Sequence, residues 1–107
     1  PVQRVLDPRI GAACERIARE LARRLPVALL ARDVGLSPGR FARLFAAETG
    51  LTPRRWIEQQ RLVRAAELLR QGQAVAAVAR QVGFANAFHF STRFRRWSGR
   101  PPSAEQG

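Results

Sequence analysis

The chain has 107 residues, 46% of them hydrophobic, with 19 basic side chains against eight acidic ones and a formal charge of +11. That length holds one domain, or two very small subdomains sharing a core, and the charge points to an anionic partner: nucleic acid first, an anionic membrane second. The single cysteine, Cys14, excludes an internal disulfide and leaves too few ligands for a zinc finger, while no apolar run approaches the ~20 residues of a membrane span and nothing resembles a signal peptide.

Tyrosine is absent and no stretch alternates apolar and polar residues as a strand does. The apolar positions recur at helical spacing instead. Asp7-Pro8 is a cap and first-turn pair that opens a helix through about Arg24. On its stripe Cys14 stands with Ile10, Ile17 and Leu21, which predicts a buried apolar role rather than a reactive one. Pro26 interrupts it. A short helix follows from Val27 to Val34, ended by Gly35. Ser37-Pro38 repeats the cap-then-proline signal and opens a helix with Phe41, Leu44 and Phe45 on one face, stopped by Gly50.

Thr52-Pro53 gives the signal a third time and opens the longest helix, to about Gln71, which Gly72 terminates. Its apolar residues come in pairs, Trp56-Ile57, Leu62-Val63, Ala65-Ala66 and Leu68-Leu69. A helix on one side of a core shows a single stripe, so two seams predict a helix packed between two bodies. A short helix from about Val75 to Val82, a turn at Gly83, and a helix carrying Phe90, Phe94 and Trp97 follow. Gly99 and Pro101-Pro102 close it, leaving a final helical turn or a frayed end.

The chain contains one unit twice. Ala31-Arg32-Asp33-Val34-Gly35-Leu36 returns as Ala79-Arg80-Gln81-Val82-Gly83-Phe84, and after one inserted residue Phe41 pairs with Phe90, Phe45 with Phe94, Thr49 with Ser98, Gly50 with Gly99 and Pro53 with Pro102. Short helix, tight turn and second helix make a helix-turn-helix. The alanine lets two steeply crossed helices approach, and the glycine takes a turn conformation that a β-carbon resists. A generic helical hairpin accounts for one such unit, but not for two, each followed at the right distance by an aromatic-bearing helix.

Every basic residue is arginine, whose planar fork suits phosphate oxygens and the guanine edge. Between Glu67 and Glu105 there is no acidic residue, while Arg70, Arg80, Arg93, Arg95, Arg96 and Arg100 fall there. A solvated arginine-rich surface would be the plain reading, were the arginines not placed on the repeat.

From about Leu25 to Pro102 the chain resembles the DNA-binding domain of the AraC/XylS family of bacterial transcription regulators. The resemblance rests on Val82-Gly83-Phe84 to Phe90, Phe94 and Gly99-Arg100-Pro101-Pro102, and on the central helix with Pro53, Trp56, Arg61, Ala65 and Leu68-Leu69. It implies an all-α fold of about seven helices: two homeodomain-like helix-turn-helix subdomains joined by a long linker helix. The implied domain is 1–107, with a lead-in helix and first subdomain at 8–50, the linker at 53–71 and the second subdomain at 75–102. It further implies sequence-specific binding of double-stranded DNA, with helices at about 38–49 and 86–97 in successive major grooves.

Subtracting the core face leaves the reading face. In the first unit Phe41, Leu44, Phe45 and Glu48 turn inward, so Arg40 and Arg43 face out beside Gly39 and Ala42. Either arginine is suited to guanine or to phosphate, and the position of Arg43 matches a base-reading one in the family. In the second unit Phe90, Phe94 and Trp97 are core, and Asn86, Ala87, Phe88, His89 and Thr92 line the outer side. Phe88 is suited to a thymine methyl or to capping the core. His89, with no second ligand near, reads as a groove contact or plain surface rather than a metal ligand. Many relatives carry arginine where Thr92 stands. Here it stands next door at Arg93, equivalent to Leu44, so this unit either reads bases or clamps phosphates through Arg93, Arg95 and Arg96. Phosphate contacts are also expected at the helix N-termini near Ser37, Thr52 and Asn86.

A cationic amphipathic protein acting on membranes or RNA would explain the charge but neither the glycine turns nor the aromatic pairs. No cysteine–histidine pair, carboxylate pair, metal cluster or phosphate loop supports an enzyme or a cofactor. The resemblance implies a cytoplasmic, nucleoid-associated regulator that meets RNA polymerase at a promoter. Because the chain starts at Pro1, the effector and dimerisation domain is expected on a missing part.

Overall fold

A computed structural model describes residues 7–106, so residues 1–6 and 107 of the expected 1–107 domain lie outside the description. The described residues are helical throughout: α1 (Pro8–Arg19), α2 (Val27–Asp33), α3 (Pro38–Thr49), α4 (Pro53–Arg70), α5 (Val75–Gln81), α6 (Ala87–Ser98) and a closing 3-10 turn (Pro102–Glu105), with no strand among them. The expected all-α fold of about seven helices is what they form.

Two compact units divide the chain, Pro1–Glu20 with Arg24–Glu58 and Leu21–Arg23 with Gln59–Gly107. The first has a core of Ile10, Ala13 and Ile17 from α1, Leu25, Leu30 and Ala31 around α2, Phe41 and Phe45 from α3, and Ile57 from α4. Phe45 meets Phe41 at 5.6 Å between ring centroids and takes the edge of Trp56 at 5.8 Å. Buried Thr49 holds its hydroxyl between the carbonyls of Phe45 and Leu51 and accepts the Leu51 N–H. In the second unit Leu62, Ala65, Ala66, Leu68 and Leu69 of α4 join Val78, Ala79, Val82, Phe84, Phe90 and Phe94 in one cluster. Each phenylalanine so buried contributes about 1.5–3 kcal/mol.

The same hydrogen-bonded closure ends both short helices. Leu36 N–H donates to Ala31 C=O and Gly35 N–H to Arg32 C=O; Phe84 N–H donates to Ala79 C=O and Gly83 N–H to Arg80 C=O. This is the six-to-one, five-to-two pattern of a Schellman end, with glycine at φ +73° (Gly35) and +99° (Gly83). The next helix starts at a capped residue: Ser37 accepts from Arg40 N–H, and Asn86 from His89 N–H.

Four sequence expectations change. The first helix ends at Arg19, not near Arg24. The segment after it runs as a turn, and its carbonyls at Leu21 and Arg23 accept from Arg61 Nε and Nη2 at 2.9 Å each, which holds that turn. Trp97 is 41% exposed rather than core, because it lies at the margin of the α6 stripe and only its edge meets Phe94. Val63 is exposed where its pair Leu62 is buried. Cys14 is half-buried, and burial pushes its thiol above the usual range, which suppresses the reactive thiolate.

The two turn glycines differ in surroundings. A β-carbon at Gly35 would meet nothing within 4 Å, whereas one at Gly83 would sit 3.0 Å from the Arg61 guanidinium and 3.1 Å from the Ala22 backbone. Gly35→Ala should therefore cost only the left-handed strain, about 1–2 kcal/mol. Gly83→Ala should cost more and disturb the Arg61 contacts, and chemical denaturation of the two variants side by side measures the difference.

Candidate nucleic-acid interface

The α3 helix separates its residues cleanly by burial. Phe41, Phe45 and Thr49 are buried, Ala42 and Leu44 are half-buried, and Gly39, Arg40, Arg43 and Ala47 are exposed. Arg43 lies back toward the N-terminus, its Nη1 3.5 Å from where a β-carbon on Gly39 would stand. That direction is the one helical side chains favour, and the missing side chain at Gly39 leaves the guanidinium room. The expected base-reading set of Gly39, Arg40, Ala42 and Arg43 thus forms one small, basic face. Glu48 turns inward, where its carboxylate accepts the Asp7 N–H.

One neighbour on this face was missed by sequence reasoning. Arg9, from the first turn of α1, lines a surface hollow of about 300 Å³ together with Leu36, Arg40, Arg43 and Leu44. Its Nε and Nη2 bond Asp7 at 3.2 and 3.0 Å. Those bonds hold the Asp7 carboxyl below the usual carboxylate range, so the pair stays ionised. The only sequence signal was the Asp7-x-Arg9 spacing, which says nothing about a helix some thirty residues on.

The α6 face is built differently. Phe90 and Phe94 are buried; Asn86, Phe88, His89, Thr92, Arg95 and Arg96 are exposed, and Ala87 and Arg93 half-buried. Phe88 is 84% exposed, which removes the core-capping alternative. His89 stands edge-on to Phe84 at 5.7 Å. The Thr92 hydroxyl donates to the Phe88 carbonyl at 3.1 Å, so its proton is spent within the helix. Arg95 and Arg96 lie in the last turn, where a cation also suits the helix dipole. Arg93 is less accessible than Arg95 and Arg96, at the inner position held by Leu44 in the first unit.

The three expected phosphate sites at helix starts share one geometry. Ser37, Thr52 and Asn86 each cap the N–H three residues on, at 3.3, 3.3 and 2.7 Å. Proline follows the first two and lacks an N–H, so Gly39 and Arg54 supply the next first-turn donors there, against both Ala87 and Phe88 in α6. Nine arginines stand against Glu67 and Glu105 in the second unit, and ten against six carboxylates in the first. Among the described residues no group of three or more His, Cys, Asp or Glu side chains could hold a metal ion, and no helix is long and apolar enough to cross a membrane.

The family model of a helix-turn-helix domain matches residues 30–106. The arabinose operon regulatory protein of Escherichia coli K12 is 36% identical over 100 residues, 92% of this chain and 34% of that protein. The transcriptional activator RhaS of Escherichia coli SE11 is 41% identical over 82 residues, 73% of this chain and 29% of that protein. The chain thus spans about a third of the length of the curated relatives it matches. Among solved structures, the AraC-type transcriptional regulator from Chromobacterium violaceum superposes with a TM-score of 0.87 at 27% identity, covering 92% of this chain and 89% of that one. The DNA-binding domain of AdpA, a global transcriptional factor solved with a target DNA, gives 0.86 at 28% identity over 91% and 88%.

The contrast between Phe88 and Phe90 is open to a direct check. Phe90→Ala removes a fully buried ring and should cost about 3–5 kcal/mol, whereas Phe88→Ala should leave stability within about 0.5 kcal/mol. Equal losses in thermal melts would put the Phe88 ring in the core after all.

Proposed function

The chain belongs to the AraC/XylS family, and we propose that it reads a specific duplex DNA sequence as the output domain of a bacterial transcription regulator. Its two second helices, α3 and α6, enter successive major grooves, whose spacing is about 34 Å. The observation that carries this reading is the α3 surface: aromatic residues bury one side while Arg40 and Arg43 stand out from the other. The likeness to the DNA-binding domain of AdpA, solved with a target DNA, supports the same class of partner.

On this reading Arg43, with Arg40, grips guanine O6 and N7, a contact worth about 1–3 kcal/mol against a wrong base. Gly39 and Ala42 let the helix approach closely. Ala87, Phe88, His89 and Thr92 line the second groove, with Phe88 against a thymine methyl. Ser37, Thr52, Asn86, Arg93, Arg95 and Arg96 hold phosphates, which position the domain while α3 and α6 specify the site. The regulator works at the nucleoid in the cytoplasm and meets RNA polymerase at its promoter. Effector sensing and dimerisation reside elsewhere in the full protein.

Selection of bound sites from random duplexes should return one motif with two half-sites about a helical turn apart. With about six phosphates neutralised, log affinity should fall against log salt with a slope near −5. Salt-independent binding would sink the proposal. Arg43→Ala should weaken the selected duplex more than a random one; equal losses would reduce Arg43 to a phosphate contact.

A further inference from the structure

The hollow on the first unit gathers arginines from two helices. Arg9 of α1 and Arg40 and Arg43 of α3 line it over the aliphatic side chains of Leu36 and Leu44, and no carboxylate is among the lining residues. Three guanidinium groups around one space repel one another, and an anion seated there turns that repulsion into attraction. An apolar floor lowers the local dielectric and strengthens charge-assisted bonds made above it.

We propose that Arg9 is a third DNA-contacting arginine of the first unit, holding a backbone phosphate beside the groove that Arg40 and Arg43 read. This rests on the reading of α3 as a DNA-entering helix. The placement of Arg9 favours phosphate over base: it stands on α1, beside the helix proposed to enter the groove and not on it. Its Nε–Nη2 edge is bonded to Asp7, and the Nη1 donors left over are enough for a phosphate oxygen. Asp7 therefore sets the contact as well as capping α1, where it accepts the Arg9 N–H at 2.9 Å. It holds the guanidinium in place and also offsets part of its charge.

The test compares the unsubstituted protein with Arg9→Ala, Asp7→Asn, the double variant Asp7→Asn/Arg9→Ala, and Arg43→Ala. Each is titrated with the selected duplex and with a random one over a range of salt. Arg9→Ala should weaken both duplexes alike, about fivefold near 0.15 M salt, and make the salt slope shallower by about 0.9, as one lost counterion requires. Asparagine caps as well as aspartate, so Asp7→Asn keeps α1 intact while removing the opposing charge. It should tighten both duplexes, and the gain should vanish in the double variant. Unchanged affinity and slope in Arg9→Ala would overturn the proposal, as would a gain from Asp7→Asn that persists without Arg9. Should Arg9→Ala melt early, Arg9→Gln, which removes the charge and keeps a long helix-compatible side chain, takes its place in the same titrations, with the same two outcomes deciding. A selected-duplex loss in Arg43→Ala leaves the DNA-binding reading standing whatever Arg9 does, whereas salt-independent binding by the unsubstituted protein removes both.

Discussion

The left-handed glycine that closes each short helix is the constraint on which the rest depends. Gly35 and Gly83 let the following N–H turn back to Ala31 and Ala79, and that fixes the exit of the chain within two residues. Ser37 and Asn86 then start the next helix almost at once. So short a connection leaves the direction of α3 and α6 no latitude. The alanine accepting the turn bond is itself buried in each unit, because a larger side chain would hold the crossing helices apart. Only with that crossing set do Phe41 and Phe45, or Phe90 and Phe94, reach the core.

Stability and surface are thereby separated along a single helix. Residues three and four apart share a helix face, so the phenylalanines anchor α3 and α6 from one side without engaging the other. The outward positions are left out of the core, and the two units use that freedom differently. The first places arginines over a small-residue face; the second places a phenyl ring, an imidazole and a hydroxyl at the start of α6 and its cations at the end. A shared scaffold with unlike surfaces is what one expects of a repeat whose copies are held to folding by the same turn and released from each other everywhere else.

Much of this was legible because the signals are local. Caps at Asp7, Ser37 and Thr52, glycine stops and phenylalanines one turn apart report on neighbours within a turn or two of the chain. What escaped depends on residues far apart in sequence. The turn after α1 is held by Arg61, whose guanidinium donates to the carbonyls of Leu21 and Arg23 from nearly forty residues away. Arg9 joins the α3 face through the packing of one helix on another, which periodicity does not encode. Trp97 was assigned inward by its helical spacing from Phe90 and Phe94, and Val63 by its pairing with Leu62; apolar residues on such a margin are common because a folded surface remains largely apolar. The candidate site was therefore readable wherever it lies on one helix, and unreadable where a second helix completes it.

The exposed ring of Phe88 bears on how the two units divide their work. A phenyl left in water forgoes about 1.5–3 kcal/mol of burial, and the Phe88 ring is 84% exposed. Such a residue contributes little to folding, so its use lies in what it meets. At the proposed reading end of α6 an apolar ring favours a thymine methyl, a contact with a single preferred base but without the paired hydrogen bonds of arginine on guanine. On the proposed reading, discrimination there would be weaker per contact, while nine arginines against two carboxylates raise attraction for any phosphate backbone. The first unit, with more of its charge offset by carboxylates, would then depend more on where Arg40 and Arg43 point. Unequal surfaces on one scaffold would in that way let affinity and specificity be set by different units.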